Sequence, residues 1–481
     1  MHFPPFPGRR CALVVALALA PALQAQSPAS SQSSDTLRLS LGDAVSIAMR
    51  QSDEVGIASA QADVAEAQYG AARANLLPQL RLNSTYAHVF ESARGQAVGS
   101  VFNQPNTYSG NLNLAQTLFQ GGRLVSASRA ADATRDAAHF DEREQRSIVT
   151  LQVARSYLQV LFTDRIAELQ AENLALASSR LVQVEQYERA GRAARYDVLR
   201  SRVERANIEP LAIQARSDRE LAMLELKRLL NVPIDQPVAL VTKIDSASAA
   251  ALVATAADSS VVPDRASVRS AELNAASKRL GISVARADFY PAISVFFQSG
   301  YQAFPGIGQG FPRAFGDLTT DACPVGTVAG KVCQNGGWFS DRQAGVNISM
   351  PIFDGFRVRS NLDLAQAQAR LADLQLRQQR EAVSVDVARA RAEIRRAGAV
   401  FAARQQNSQE ANEAFQLATL RFSRGLSTQL EVSDAQVALL TAKSTEARAT
   451  YDLFLASADL ARSLGRPIPL PSSGVSPANT R

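Results

Sequence analysis

A mainly α-helical fold with a small β part, built from a helix, a β-hairpin and a very long helical hairpin used twice, is predicted by three features of the 481-residue sequence. The stretch Arg123 to Ala190 holds neither Pro nor Gly, and Arg357 to Phe422 holds only Gly398. A helix of about 65 residues at ~1.5 Å per residue is on the order of 100 Å long, so such a rod must span a distance or pack against equals. Four shorter stretches switch to a period of two, the mark of half-buried strands. The punctuating residues of the first half recur in the second, which identifies a duplicated unit.

In chain order, Arg9 and Arg10 precede an apolar run from Cys11 to about Leu23, then small residues ending at Ala25. This is a secretory signal peptide over 1–25, with cleavage after Ala25, or after Ala22 as the alternative. A polar linker follows over 26–39. Ser40-Leu41-Gly42-Asp43 opens a helix with a capping box, and that helix runs to Leu77-Pro78. From Gln79 to Phe90 the period is two, a polar loop spans Glu91 to Asn106, and a second strand runs from Tyr108 to Phe119. Gln120-Gly121-Gly122 hands over to the first long helix, which lasts until Gly191.

The second half repeats these landmarks. Pro78 is answered by Pro291, Phe119 by Phe353, Gly191 by Gly425, Asp197 by Glu431 and Pro233 by Pro467. The repeats are therefore 40–260, with a hairpin at 79–119, and 261–467, with a hairpin at 292–352. A disordered tail is expected over 468–481. In the second long helix, small residues outnumber Leu along a heptad-like seam from Leu362 through Ala369, Leu376, Val383, Ala390 and Ala397 to Phe401. This suits closely packed coiled-coil neighbours. At its tip, Gly425 can take a left-handed cap, Ser427 or Thr428 can cap the returning helix, and Glu431 falls in that helix's first turn.

After the signal, no run of ~18 apolar residues remains, so membrane passage would require a closed β-barrel. Ile293, Val295, Phe297, Ser299 and Tyr301 alternate along one strand, and Val346, Ile348, Met350 and Ile352 alternate with Gly345, Asn347, Ser349 and Pro351 along the other, with Trp338 and Phe339 as interfacial anchors. Four strands close no such barrel, whereas three chains would supply about twelve; assembly with other copies follows. The net charge of +6 is spread as mixed charges along helices, which argues against nucleic acid as a partner. Cys323 and Cys333 lie close together in a Gly-rich loop, a spacing that fits a disulfide in an oxidising compartment. Two thiolates without a nearby His lack the ligands for a metal, and His2, His88 and His139 form no catalytic spacing. No catalytic, cofactor or metal residue is assigned, and an enzyme is not expected.

Ala74 to Pro78 with its duplicate ending at Pro291, Leu118 to Arg123 with its duplicate Ile352 to Arg357, and the tip Arg421 to Val432 with Asp434-Ala435 resemble the TolC family of outer-membrane efflux and secretion channels. The resemblance runs from about Leu39 to Pro467. It implies a homotrimer in the outer membrane of a Gram-negative bacterium, with a shared twelve-strand transmembrane β-barrel and an α-helical barrel projecting into the periplasm. The implied partners are outer-membrane lipid, a periplasmic adaptor (membrane fusion) protein and an inner-membrane transporter, and the implied role is a passive exit duct for small molecules in a tripartite efflux system. Glu431 and Asp434 match the family's acidic periplasmic entrance ring, and Asp197 matches its first-repeat tip aspartate. The Tyr and Arg that latch that aspartate in the family are replaced here by Phe422 and Ser427, so Arg195, Arg200, Arg421 or Arg424 would have to supply such bonds. The tips, Arg189, Gly191 and Arg192 in one hairpin and Phe422, Arg424, Gly425 and Leu426 in the other, are the expected adaptor contacts. Two alternatives stand beside this reading: the outer-membrane duct of a type I protein secretion system, and a periplasmic coiled-coil structural or adaptor protein.

Overall fold

The computed structural model describes residues 36–91, 93–98, 106–242, 264–303, 305 and 338–468. The expected signal peptide, Cys323, Cys333 and the tail beyond Ile468 lie outside them. The first unit comprises β1 (Leu37–Leu39), α1 (Leu41–Gln51), α2 (Asp53–Ala74), β2 (Gln79–His88), α3 (Ala93–Val98), β3 (Asn106–Gln120), α4 (Arg123–Arg189), α5 (Arg195–Leu230) and β4 (Val238–Leu240). The second comprises α6 (Ala266–Arg286), a 3-10 turn (Ala287–Phe289), β5 (Ala292–Ala303), β6 (Trp338–Ser349), α7 (Arg357–Ser423) and α8 (Gln429–Ser463).

The duplication is written into the backbone. Helices α4 and α7 are 67 residues each, α5 and α8 are 36 and 35. Left-handed residues stand at matching places: Gly121 and Gly122 against Gly355 and Phe356, Gly191 against Gly425, and Asn231 against Gly465. Gly121 cannot be replaced without strain, because a Cβ there would lie 2.7 Å from the Ala287 carbonyl oxygen. Next to it, Arg123 at the start of α4 pairs with Asp288 at 2.5 Å and so ties the bases of the two hairpins together.

Three departures from the expected elements have physical causes. The first helix is two: Ser52 leaves the helix at ψ 130 while its N–H still bonds the Ala48 carbonyl, and Asp53 and Glu54 supply the acidic first turn of α2. The linker expected over 26–39 ends early, because Leu37–Leu39 pairs in parallel with Val238–Leu240. Leu39 is 1% exposed in a core with Leu41, Ala44, Val153, Leu226 and Leu230. Burying such a leucine contributes about 1.5–3 kcal/mol, and the hydrogen bonds to the Val238–Leu240 strand add to it in offsetting the cost of ordering these residues. Finally, β6 stops at Ser349 rather than 352, since Pro351 cannot donate to a ladder.

Tyr157, fully buried in the same core, donates to the Leu39 carbonyl at 2.9 Å and accepts from the Thr242 N–H at 3.3 Å. Burial pushes its hydroxyl pKa above the ordinary value, and the Thr242 bonds oppose that. A second core joins α7 and α8 through Val383, Ala390, Ala397, Phe401, Leu453 and Leu460. The seam residues from Ala369 to Phe401 are buried as the heptad pattern requires.

Candidate functional site: sheet faces and helical tips

Strands β2, β3, β5 and β6 form one antiparallel sheet in that order, so the two hairpins join through β3 and β5 and leave β2 and β6 as edges. Register fixes what each face carries. Leu80, Leu114 and Phe297 stand in one row, and Val295 opposes Val346 as Ile293 opposes Ile348. All but Val295 and Ile293 are exposed large apolar side chains. The opposite face reads Arg81, Asn113, Gln298 and Gln343 in one row and Asn83, Asn111, Gly300 and Asp341 in the next. Gln343 Nε2 donates to Gln298 Oε1 at 3.0 Å, and Gln302 Nε2 to Asp341 Oδ2 at 2.9 Å. One wall is thus greasy and the other wet, the division a transmembrane barrel strand makes between lipid and lumen. Among the described residues no helix is long and apolar enough to cross a membrane.

At the far end of α4 and α7 the chain reverses twice by one device. Gly191 and Gly425 adopt φ of 71° and 76°. The next N–H closes back over five residues, Arg192 to Tyr187 at 2.8 Å and Leu426 to Arg421 at 2.9 Å, satisfying carbonyls the helix end would orphan. Arg189, Arg192, Arg424 and Leu426 are exposed on these turns, and Phe422 is partly covered. Arg192 lies over the Tyr187 ring at 5.1 Å.

The return helices start on capped turns. Asp197 Oδ2 accepts from the Ala194 N–H at 3.1 Å, and Thr428, rather than Ser427, accepts from the Glu431 N–H at 3.4 Å. Glu431 also pairs with Arg421 at 3.0 Å, inside its own hairpin. Asp434 is exposed one turn further.

Just above the tips the two hairpins are joined by a polar seam that single-sequence reasoning missed. Gln429 Nε2 donates to Ser201 Oγ at 2.8 Å, and Arg180 Nη1 donates to Ser433 Oγ at 3.1 Å. Ser433 Oγ donates to Glu204 at 3.1 Å, and Gln436 Nε2 to Asn173 Oδ1 at 2.6 Å. Burial pulls the Arg180 pKa down, opposed by the charge of Glu204. The available signal was the helical spacing of Gln429, Ser433 and Gln436, three polar residues on one face of α8.

Comparison with known proteins agrees with this architecture. The chain is 26% identical over 448 residues to the pyoverdine export outer membrane protein OpmQ of Pseudomonas putida, covering 88% of this chain and 85% of that protein. It is 22% identical over 407 residues to the outer membrane protein TolC of Vibrio cholerae, covering 85% and 86%. The crystal structure of VceC from Vibrio cholerae superposes with a TM-score of 0.70 at 19% identity, covering 89% of this chain and 97% of that one. Residues 44–232 and 260–466 match the model of the outer membrane efflux protein family, and the chain belongs to that family, as a TolC-like efflux channel of the outer membrane.

Proposed function

We propose that the chain works as a homotrimer in which three four-stranded sheets close one twelve-stranded barrel, with the helical hairpins forming a duct across the periplasm. The observation that carries this is the pair of open edges, β2 and β6, on a sheet with one apolar and one polar face. Unpaired ladder groups in lipid cost several kcal/mol each, and joining β6 of one copy to β2 of the next removes them all. The mature protein starts after the signal peptide 1–25, and Cys323 and Cys333 pair as a disulfide in an oxidising compartment.

Threefold symmetry would multiply Glu431 and Asp434, with Asp197 beside them, into an acidic ring at the periplasmic entrance that attracts cations. The turns Arg189 to Arg192 and Phe422 to Leu426 are the docking surface for a periplasmic adaptor, which connects the duct to an inner-membrane transporter. The cargo is a small molecule: OpmQ is named for pyoverdine export, and a further relative, TtgF of Pseudomonas putida, for toluene efflux. Those names favour efflux over protein secretion.

The test is the mass of the assembly extracted from outer membranes in mild detergent, read by native mass spectrometry. Three copies in the outer-membrane fraction, with heat-modifiable migration on a gel, is the expected result. A monomer recovered from the soluble periplasm would overturn the reading in favour of a periplasmic rod.

A further inference from the structure

Among the described strand residues, the apolar face of the sheet carries one charged side chain, Arg342 on β6. It is exposed, and it stands in the row of Ser299, Leu112 and Leu82. An arginine on the lipid side of a barrel costs about 2–4 kcal/mol at mid-membrane and about 0–1 near the interface, so its depth and its partner decide whether it can be there. The depth can be read from the register. Four residues separate Arg342 from Trp338, roughly 13 Å along a strand and about 10 Å in depth at a tilt of ~40°. Trp338 belongs to an aromatic band with Tyr108 at 6.4 Å, itself stacked on Tyr86 at 4.8 Å. Such bands mark the water interface, here at the end of the sheet away from the long helices, the end that faces the outer leaflet in the proposed orientation.

The row between Arg342 and that band is Ser84, Gly110, Tyr301 and Ser340. It consists of hydroxyls around a residue with no side chain, where the rows below are mostly Leu, Phe and Val. A guanidinium reaching upward along its own strand would enter this polar notch just beneath the interface. Among the described strand residues no carboxylate shares the face. The adjacent acid, Asp341, lies on the opposite face and accepts from Gln302. Across the β6 edge, a second copy's β2 would bring Leu80, Leu82 and Ser84.

We propose that Arg342 and the hydroxyl row above it hold the phosphate of an outer-leaflet lipid of the lipid A class. Guanidinium and hydroxyl groups together match a phosphate's acceptor oxygens, and the acyl chains of such a lipid cover the leucines below. The inference rests on the apolar face being the lipid face. That premise has its own readout, because Trp338 is the only tryptophan in the sequence. Trp338 itself is 9% exposed within one chain, so the tryptophan is moved to the exposed Tyr86 of the same band in a Trp338→Phe/Tyr86→Trp variant, whose quenching in bilayers of brominated phosphatidylcholine reports whether that end of the sheet is in contact with lipid.

The experiment is a native mass spectrometry titration of the whole extracted assembly with bisphosphorylated lipid A. It compares the natural protein with Arg342→Gln and Arg342→Lys, each first checked for heat-modifiable migration. Expected are a roughly tenfold or greater weakening in the Gln variant, partial retention in the Lys variant, and weak binding of dephosphorylated lipid A to all three. Equal binding to the natural protein and the Gln variant would overturn the proposal. So would equal binding of phosphorylated and dephosphorylated lipid, or of phosphatidylglycerol in place of lipid A. Absence of quenching in the Trp338→Phe/Tyr86→Trp variant would instead remove the lipid face itself, and the two failures are separable.

Discussion

Replacing Arg265 tests how the two repeats are clamped together at mid-length. Its guanidinium donates from Nε and Nη2 to Glu144 of α4 at 3.0 and 2.9 Å, and from Nη1 to Asp386 of α7 at 2.9 Å. Arg462 of α8 reaches the same Glu144 oxygen at 3.3 Å. Four helices thus meet in one charge cluster, with Arg265 and Glu144 side chains only 10% and 13% exposed. Breaking a buried pair by removing one partner costs about 3–5 kcal/mol. Here Glu144 keeps Arg462, and Asp386 is 41% exposed and can be rehydrated, so Arg265→Leu is expected to cost about 2–3 kcal/mol. Removing Glu144 as well takes away the stranded carboxylate, so Arg265→Leu/Glu144→Leu should cost less than the two single changes added together. Hydrogen exchange followed by mass spectrometry reads the local opening: a loss of this size speeds exchange in the first turns of α6 roughly 30- to 150-fold. Acceleration below about threefold, or additive single and double variants, would show that the cluster is not the clamp inferred from its geometry.

Tyr157→Phe leaves the Thr242 N–H without its partner, while the Leu39 carbonyl keeps the Val241 N–H at 3.0 Å. The expected loss is about 1–3 kcal/mol, seen as faster exchange across β1 and β4 with the rest of the chain unchanged. Gly465→Ala combines a φ of 72° with a Cβ that would press on the Asp264 carbonyl, and a loss of at least ~1–2 kcal/mol is expected where Gly56→Ala, with open space, should cost nothing. Burial holds Asp459 above the ordinary carboxylate value, with Arg155 and Arg462 opposing. The folded state therefore binds a proton before the unfolded one, and stability rises as pH falls through the window just above about 3.9. Asp459→Asn should be the more stable protein at neutral pH, with the gap in melting temperature closing toward pH 4; a pH-independent gap would count against the burial argument. Arg421→Ala breaks an exposed pair, 58% and 41% accessible, so melting should barely move, while freeing Glu431 should raise cation preference in bilayers.

Much of this architecture is legible because it depends on local periodicity and on single residues with special backbone needs. The long helices end where the glycines stand, since Gly191 and Gly425 are the positions at which a left-handed residue closes the last turn. Four strands follow from alternation alone. The break at Ser52 also had a local signal, a serine followed by two acids, outweighed by the alanine periodicity running through it. Strand β1 did not, because three apolar residues carry no period, and Leu37–Leu39 is ordered only by partners about 200 positions away. The site divides in the same way. Glu431 and Asp434 stand out as charges at a turn, whereas the seam of Gln429 with Ser201 and Gln436 with Asn173 requires knowing which faces of α4, α5 and α8 meet.

The most direct test of the central claim is single-channel conductance of the detergent-extracted protein in planar bilayers, with cation and anion selectivity, for the natural protein and Glu431→Gln/Asp434→Asn. Discrete conductance with a cation preference that the double substitution weakens is the predicted result. Discrete conductance with unchanged selectivity would remove the acidic ring and leave the channel. Correctly inserted trimers that pass no current would show a sealed tip, whereas failure of the protein to partition into membranes at all would contradict the account of an outer-membrane duct.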